Sequence, residues 1–340
     1  MKPLRVAILG NGYATRTFHA PLVECTEGLS LEAISTRDAA TLAEERPAVR
    51  AVASPEAIFA DPAIDLVIVP TPNDTHFPLA RAALQAGKHV VVDKPFTLTV
   101  AEGETLAELA TSQGRLLSVF HNRRWDSDFI ALREVLGSDL LGRITHFESH
   151  FDRYRPDVRG RWREGPGPGS GLWYDLGPHL LDQALLLFGE PERITVDLAR
   201  QRSGAASDDW FHAVLRYGEC RVILHGSALV AGLGPRFAVH GTAGSLLKFG
   251  LDTQEDALKA GQPAGGDGWG TDPEPLRFTL RQGEQLVSSV RHCPPGNYPA
   301  YYAAIRDAIT GHAANPVPPH EAIRVMRLIE TGLANEAETP

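Results

Sequence analysis

Over its first third the chain alternates short, nearly continuous apolar runs with longer stretches whose apolar residues recur at helical spacing. The runs predict strands at Leu4–Leu9, Leu31–Ser35, Leu66–Val69, His89–Val92 and Leu116–Phe120. The stretches between them predict helices over about 14–25, 40–46, 74–86 and 100–113. Strands apolar on both faces are covered on both sides, as in a parallel sheet flanked by crossover helices. From Arg143 the period changes to two, as in Ile144-Thr145-His146-Phe147-Glu148-Ser149-His150-Phe151. Further alternating runs near 192–200, 210–230, 236–249 and 276–291 predict a mostly antiparallel, open sheet. A Gly/Pro-rich loop, Gly165 to Gly171, interrupts it and leads into an apolar helix reaching Phe188. Residues 252–275, rich in Gly, Asp and Pro, read as a long surface loop, and two helices near 298–310 and 320–334 follow. No internal repeat is present.

A chain of 340 residues is too long for one core to be the default. With the change of period, this predicts an N-terminal domain over 1–122 and a C-terminal domain over 123–340, the last helices being free to pack back on the first. A 43% hydrophobic content and the absence of low-complexity tracts argue against bulk disorder. The net charge of -9 opposes attraction to nucleic acid phosphates or an anionic membrane, so neither is an expected partner. Cys25, Cys220 and Cys293 are odd in number and lack a CxxC pair, which suggests no disulfide framework and a reducing compartment. The apolar stretch Val6-Ala7-Ile8-Leu9 is too short for a signal-peptide core, and no later run reaches the roughly 20 apolar residues of a membrane helix. The cytoplasm is the expected location.

The first strand ends in Gly10-Asn11-Gly12, with Tyr13-Ala14 opening a helix. Glycines there let the backbone turn sharply and approach a pyrophosphate, while the helix start offers free N–H groups to its charge. An ordinary strand-to-helix turn carries the same residues, and the third fingerprint position is Thr15 instead of Gly or Ala. The position after the first strand of an alternating region favours dinucleotide binding. The end of the second strand reports which dinucleotide is preferred. Ser35-Thr36-Arg37 supplies hydroxyl and guanidinium donors suited to a 2′-phosphate, which favours NADP, with NAD left open by the nearby Asp38.

Two loops follow strand ends, where ligands bind in open α/β sheets: Thr71-Pro72-Asn73-Asp74-Thr75-His76 and Asp93-Lys94-Pro95. Lys94 is one of five lysines in a chain that otherwise uses arginine, and an amine can give up a proton where a guanidinium cannot. In Gly171-Leu172-Trp173-Tyr174-Asp175-Leu176-Gly177-Pro178-His179, Asp175 and His179 are four apart and share a helix face, with Pro178 expected in the first turn. A histidine can take a hydroxyl proton as the carbon loses hydride, and a neighbouring carboxylate can orient it or hold the substrate. A capped helix with a hydrogen-bonded histidine accounts for the same residues.

The string GNGYATRTFHAPL, the TPNDTH loop, the DKP motif and the DLGPH segment occur in the order and spacing of the glucose-fructose oxidoreductase / inositol dehydrogenase (Gfo/Idh/MocA) family. The resemblance covers essentially the whole chain. It is strongest toward the branch of NADP-dependent scyllo-inositol dehydrogenases, through HNRRWD, FDRYRP, RWRE and GLWYDLGPH. It implies an α/β plus α+β fold, a Rossmann dinucleotide-binding domain followed by an α+β domain on an open, mostly antiparallel sheet. It also implies a dehydrogenase acting on a hydroxyl of a cyclic polyol or sugar, as a homo-oligomer, dimer or tetramer.

By the same resemblance Lys94 would stabilise the substrate hydroxyl, His179 would move its proton and Asp175 would bind the substrate. Asp93 stands where glutamate is commonest. Asn73, His76 and Pro95 would line the cofactor, Trp162 and Arg163 would approach its nicotinamide end, and Asn122, Arg123 and Tyr298 would contact substrate.

His146, Glu148 and His150 share a strand face, and such residues bind zinc; Phe147 and Phe151 opposite make a wet sheet face or a subunit contact the simpler reading, so no metal is expected. No GxSxG elbow supports an acyl hydrolase. Two rivals remain: a non-catalytic dinucleotide-binding regulator, against which Lys94 and His179 argue, and a glycosidase using tightly held NAD.

Overall fold

The computed structural model describes residues 2–337 and divides into two compact units. Among the described residues the first comprises 2–122, 254–269 and 297–324; the second comprises 123–253, 270–296 and 325–337.

The first unit is built on a six-stranded parallel sheet of β1 Leu4–Leu9, β2 Leu29–Ser35, β3 Arg50–Val52, β4 Leu66–Val69, β5 His89–Val92 and β6 Leu117–Val119. The strand order is β3-β2-β1-β4-β5-β6, which reverses direction at β1, the order of the doubly wound dinucleotide folds. All four β4 residues are 0% exposed, as apolar runs covered on both faces require. Its helices are α1 Ala20–Glu24, α2 Ala39–Glu45, α3 Pro55–Ala60, α4 His76–Gln85 and α5 Val100–Ser112. Sequence periodicity located the other strands but not β3 or α3. Arg50-Ala51-Val52 is three residues long and pairs only with β2, so neither of the patterns that mark a strand can develop in it. The start of α5 is locally encoded: Thr99 accepts from the Glu102 N–H while the Glu102 carboxylate accepts from the Thr99 N–H, a reciprocal cap.

The second unit carries an eight-stranded sheet of β7 Ile144–Asp152, β8 Arg193–Ala199, β9 Trp210–Tyr217, β10 Cys220–Ser227, β11 Phe237–Gly241, β12 Gly244–Lys248, β13 Leu276–Gln282 and β14 Gln285–Arg291. The order is β14-β13-β12-β11-β7-β10-β9-β8, and only β7 and β10 run parallel. α6 Ser127–Leu136 and α7 Leu172–Phe188 belong to this unit. Phe147 meets Phe188 at 5.2 Å and Phe211 meets Trp173 at 5.2 Å, so the inward residues of β7 and β9 form one core with α7. Each large side chain so buried contributes roughly 1.5–3 kcal/mol. α6 was not anticipated, although Phe129, Leu132 and Val135 lie on one helical face and are buried.

Residues 252–275 depart from the surface loop expected of their composition. They contain α8 Gln254–Lys259, and Asp252, Gln254 and Asp272 are buried. The Gln254 Oε1 accepts the Tyr298 N–H at 2.7 Å and the Trp269 indole N–H at 2.9 Å, tertiary bonds that Gly/Pro content does not report. α9 Pro299–Ile309 and α10 Pro319–Ala337 complete the chain's helices, and among the described residues no helix is long and apolar enough to cross a membrane.

Candidate active site residues in the two units

The glycine turn after β1 is latched to the end of β2. Gly10, at φ +86°, donates its N–H to both the carbonyl and the hydroxyl oxygen of Ser35, each at 3.0 Å. The φ value explains the glycine, since an L side chain is strained there. Thr15 is 0% exposed and donates its hydroxyl to the Gly10 carbonyl at 2.6 Å, so the departure at the third fingerprint position tightens the turn. The chain is helical over 13–24, beginning in the Tyr13-Ala14 pair. No atom lies within 4 Å of where a Gly12 Cβ would stand, and Gly12 is exposed. Beside it both polar atoms of the Asn11 amide are shielded from solvent without a hydrogen-bond partner among the described residues. An open backbone next to an unsatisfied amide fits a polar ligand at this turn, as a dinucleotide requires.

β2 ends at Ser35, which leaves Thr36 and Arg37 as the residues at its carboxyl end. Asp38 caps α2: its carboxylate accepts the Thr41 N–H at 3.0 Å and the Thr41 hydroxyl at 2.6 Å, bonds that hold it below the usual carboxylate range. A carboxylate committed to a helix start is poorly placed to receive ribose hydroxyls, while Arg37 is exposed.

The two strand-end loops are stitched together by one imidazole. His76 is 1% exposed, with Nδ1 2.8 Å from the Pro95 carbonyl and Nε2 2.9 Å from the Thr71 carbonyl. Burial pushes its pKa down, and the neutral ring can donate to only one of the two. Asn73 is buried, and Pro72 is exposed. The Lys94–Pro95 peptide is cis, Pro95 is buried and Lys94 is half-buried. Asp93 accepts the Lys94 N–H at 2.7 Å. Burial works to raise its carboxyl, but His19, with further help from the Lys94 charge, outweighs this and holds it down to about 2.

In the second unit α7 begins at Leu172, earlier than the sequence reading required, so Pro178 lies inside the helix and not in its first turn. Pro178 cannot supply the N–H that an unbroken helix would direct at the Tyr174 carbonyl. The start of α7 is held from outside by Asp208, whose Oδ2 accepts the Trp173 N–H at 2.6 Å and whose carbonyl accepts the Leu172 N–H at 2.8 Å. Gly171 is required beside it at φ +94°, since a Cβ there would meet Asp208 Oδ1 at 1.9 Å. Asp175 is half-buried, 3.7 Å from each of Arg153 and Arg163. His179 follows one turn later and is 6% exposed.

Trp162 is exposed and carries the Arg163 guanidinium over its ring at 4.4 Å. Arg123 is buried, with Nη1 3.3 Å from Asp126 Oδ2 and its guanidinium 4.7 Å from the Phe151 ring centre. Asn122 is buried and opens the short helical turn Asn122–Trp125. Tyr298 lies in the first unit with no exposed surface, its ring 6.5 Å from Phe18. Sequence reasoning assigned no role to His19, Arg153 or Asp208. His19 and Arg153 carried a signal, falling within the GNGYATRTFHAPL and FDRYRP strings, and Asp208 carried none.

The parallel sheet order and the glycine turn after β1 define a dinucleotide-binding domain of the Rossmann class. Residues 4–121 match the model of the oxidoreductase family NAD-binding Rossmann fold, and 133–338 match its C-terminal alpha/beta domain. The chain belongs to the Gfo/Idh/MocA oxidoreductase family. It is 56% identical over 330 residues to the uncharacterized oxidoreductase YdgJ of Escherichia coli (strain K12), covering 97% of this chain and 95% of that one. It is 41% identical over 337 residues to the scyllo-inositol 2-dehydrogenase (NADP(+)) IolW of Bacillus subtilis (strain 168), covering 98% and 94%. The solved structure of the YPO2259 putative oxidoreductase from Yersinia pestis is similar at a TM-score of 0.96 and 55% identity, covering 99% of this chain and 96% of that one.

Proposed function

We propose that the protein transfers hydride between NADP and a hydroxyl-bearing carbon of a cyclic polyol or sugar, inositol-like in class. The observation that carries this reading is the shared face of α7 on which Asp175 and His179 stand, flanked by Arg153 and Arg163. The nicotinamide, when bound, supplies a hydride acceptor at C4. His179 takes the hydroxyl proton as the carbon–hydrogen bond breaks, so the C–O single bond becomes a carbonyl. Lys94 steadies the negative charge that develops on oxygen, and Asp175 holds the neighbouring hydroxyls. Gly10, Asn11, Gly12, Tyr13 and Ala14 bind the pyrophosphate region, with Asn73, His76 and Pro95 shaping the loops beside it. Thr36 and Arg37 receive the 2′-phosphate, a preference supported by the engagement of Asp38 as a helix cap. Trp162 and Arg163 approach the nicotinamide end, and Asn122 and Arg123 act as further substrate contacts.

The polar face of the eight-stranded sheet also bears half-buried Val214, Ile223 and Leu247. It is proposed to be covered by a second copy in a homo-oligomer, which light scattering after size exclusion tests. Three free cysteines fit a reducing, cytoplasmic setting.

The deciding experiment is a panel of inositols and aldoses assayed with NADP and with NAD by the absorbance of the reduced nicotinamide. Reduction of NADP by at least one cyclic polyol or sugar is expected. Cofactor binding with no turnover across the panel would favour a sensor, and release of free sugar from a glycoside without net reduction would favour a glycosidase.

A further inference from the structure

The polar face of the eight-stranded sheet gathers imidazoles from neighbouring strands. β7 and β10 run parallel with His150 directly opposite His225, and Asp152 follows His150 two residues along the same face. His150 Nδ1 lies 3.4 Å from Asp152 Oδ2, and His225 Nε2 lies 3.4 Å from Asp152 Oδ1. Neither contact is a well-formed hydrogen bond, and Asp152 Oδ1 is shielded from solvent without accepting one from any of the described residues. One donor atom from each of the three residues falls within 4.8 Å of the other two.

These spacings are those of a ligand set. Around a tetrahedral zinc with bonds near 2.0–2.1 Å, neighbouring ligand atoms stand about 3.4 Å apart. Each imidazole already has that separation from one oxygen of Asp152, His150 from Oδ2 and His225 from Oδ1, so a small rotation of the carboxylate and of the rings brings one oxygen and two nitrogens onto a shared metal. The outer nitrogen of His150 is oriented as well: its Nε2 is 2.7 Å from Glu148 Oε2, the carboxylate–imidazole arrangement that aims the other ring nitrogen at a metal. Glu148 holds His146 in the same way through its other oxygen at 2.6 Å, but among the described residues only His150, Asp152 and His225 bring ligand atoms within 4.8 Å of one another. The sequence reading considered His146, Glu148 and His150 and set a metal aside. The strand register supplies what that reading lacked, His225 from β10 and Asp152 at the end of β7.

We propose that His150, Asp152 and His225 form a three-ligand site for a divalent cation of the zinc class, with a water molecule as the fourth ligand. Two imidazoles select a borderline metal such as zinc over magnesium or calcium, which prefer an all-oxygen shell. The site lies on the sheet and uses none of the residues assigned to hydride transfer, so it stands or falls apart from that reading.

The test uses the full chain, stripped with a chelator and titrated with zinc chloride against a chromogenic indicator. One equivalent per chain is expected to bind at micromolar or lower free zinc. Asp152→Asn and His225→Ala should each weaken binding by about tenfold or more, while His146→Ala should retain it. Cobalt(II) added to the unmodified chain should develop the visible absorption of a four- or five-coordinate nitrogen–oxygen site, a readout that survives if a variant fails to fold. No zinc uptake at tens of micromolar, equal uptake by the ligand variants, or a cobalt spectrum unchanged from the hydrated ion would each overturn the proposal.

Discussion

The Nε2 of His19 lies 3.5 Å from Oδ2 of Asp93, and its Nδ1 lies 2.6 Å from the Tyr302 hydroxyl. His19 and Tyr302 are both 0% exposed, so a buried phenol–imidazole–carboxylate chain ends next to Lys94. Its effect is to keep Asp93 ionised against its own burial, with the folded carboxyl at about 2 instead of 3.8. A carboxyl depressed by folding stabilises the protein above its unfolded pKa and loses that contribution as pH falls through the folded value. The stability advantage of the unmodified chain over Asp93→Asn should therefore be full above pH ~4 and fade toward pH ~2, measured by thermal melts across that range.

Tyr302→Phe leaves the buried Nδ1 of His19 without its phenol partner. A loss of about 1–3 kcal/mol in unfolding free energy is expected from denaturant titration. A variant as stable as the parent would show that this hydrogen bond contributes little.

Lys94→Ala should fold and bind NADP with near-normal affinity while kcat falls by about 10²–10³, the scale seen when one preorganised donor is removed. Intrinsic fluorescence titration with the cofactor separates binding from turnover. Near-normal kcat would remove Lys94 from the mechanism.

Arg37→Ala should weaken NADP by about tenfold or more and leave NAD nearly unchanged, because only the phosphorylated ribose engages the guanidinium fork. Parallel kcat/KM measurements with both cofactors decide it, and an equal loss for each would point to a general electrostatic effect.

Asp208 presents the opposite sign to Asp93. Desolvation raises its carboxyl to about 6, although the Trp173 and Leu172 backbone amides oppose the rise. The folded state holds the proton more tightly than the unfolded chain, so stability falls as pH rises from ~4 to ~6 and stays reduced above. Asp208→Asn keeps an acceptor for the Trp173 N–H without the buried charge. Its melting temperature should exceed the parent's at pH 7, and the difference should shrink on acidification; a lower value at pH 7 would mean that the charge itself holds α7.

Much of the fold was legible because its signals are local. β1, β4 and β5 are short apolar runs, β7 alternates residue by residue, and the glycine turn sits directly after β1. β3 and α6 were not recognised, the first because three edge residues carry no pattern, the second because its apolar face was short. The strand-end and α7 residues proposed as the site were singled out by their place after strands and their spacing, and their roles came from the family resemblance. Asp208, which comes from a distant part of the chain to the α7 start, had no local signal, and the FDRYRP string that contains Arg153 does not report its approach to Asp175.

By itself, the order of residues determined the periods of the elements, the glycine that accepts a positive φ, and which side chains can carry a proton or a charge. These depend on neighbours a few positions away. Tertiary structure alone decided that His76 ties two loops together and that His225 lies across from His150. Such partnerships are set by loop conformation and strand register, which the whole packed domain selects, and no short window of sequence contains them.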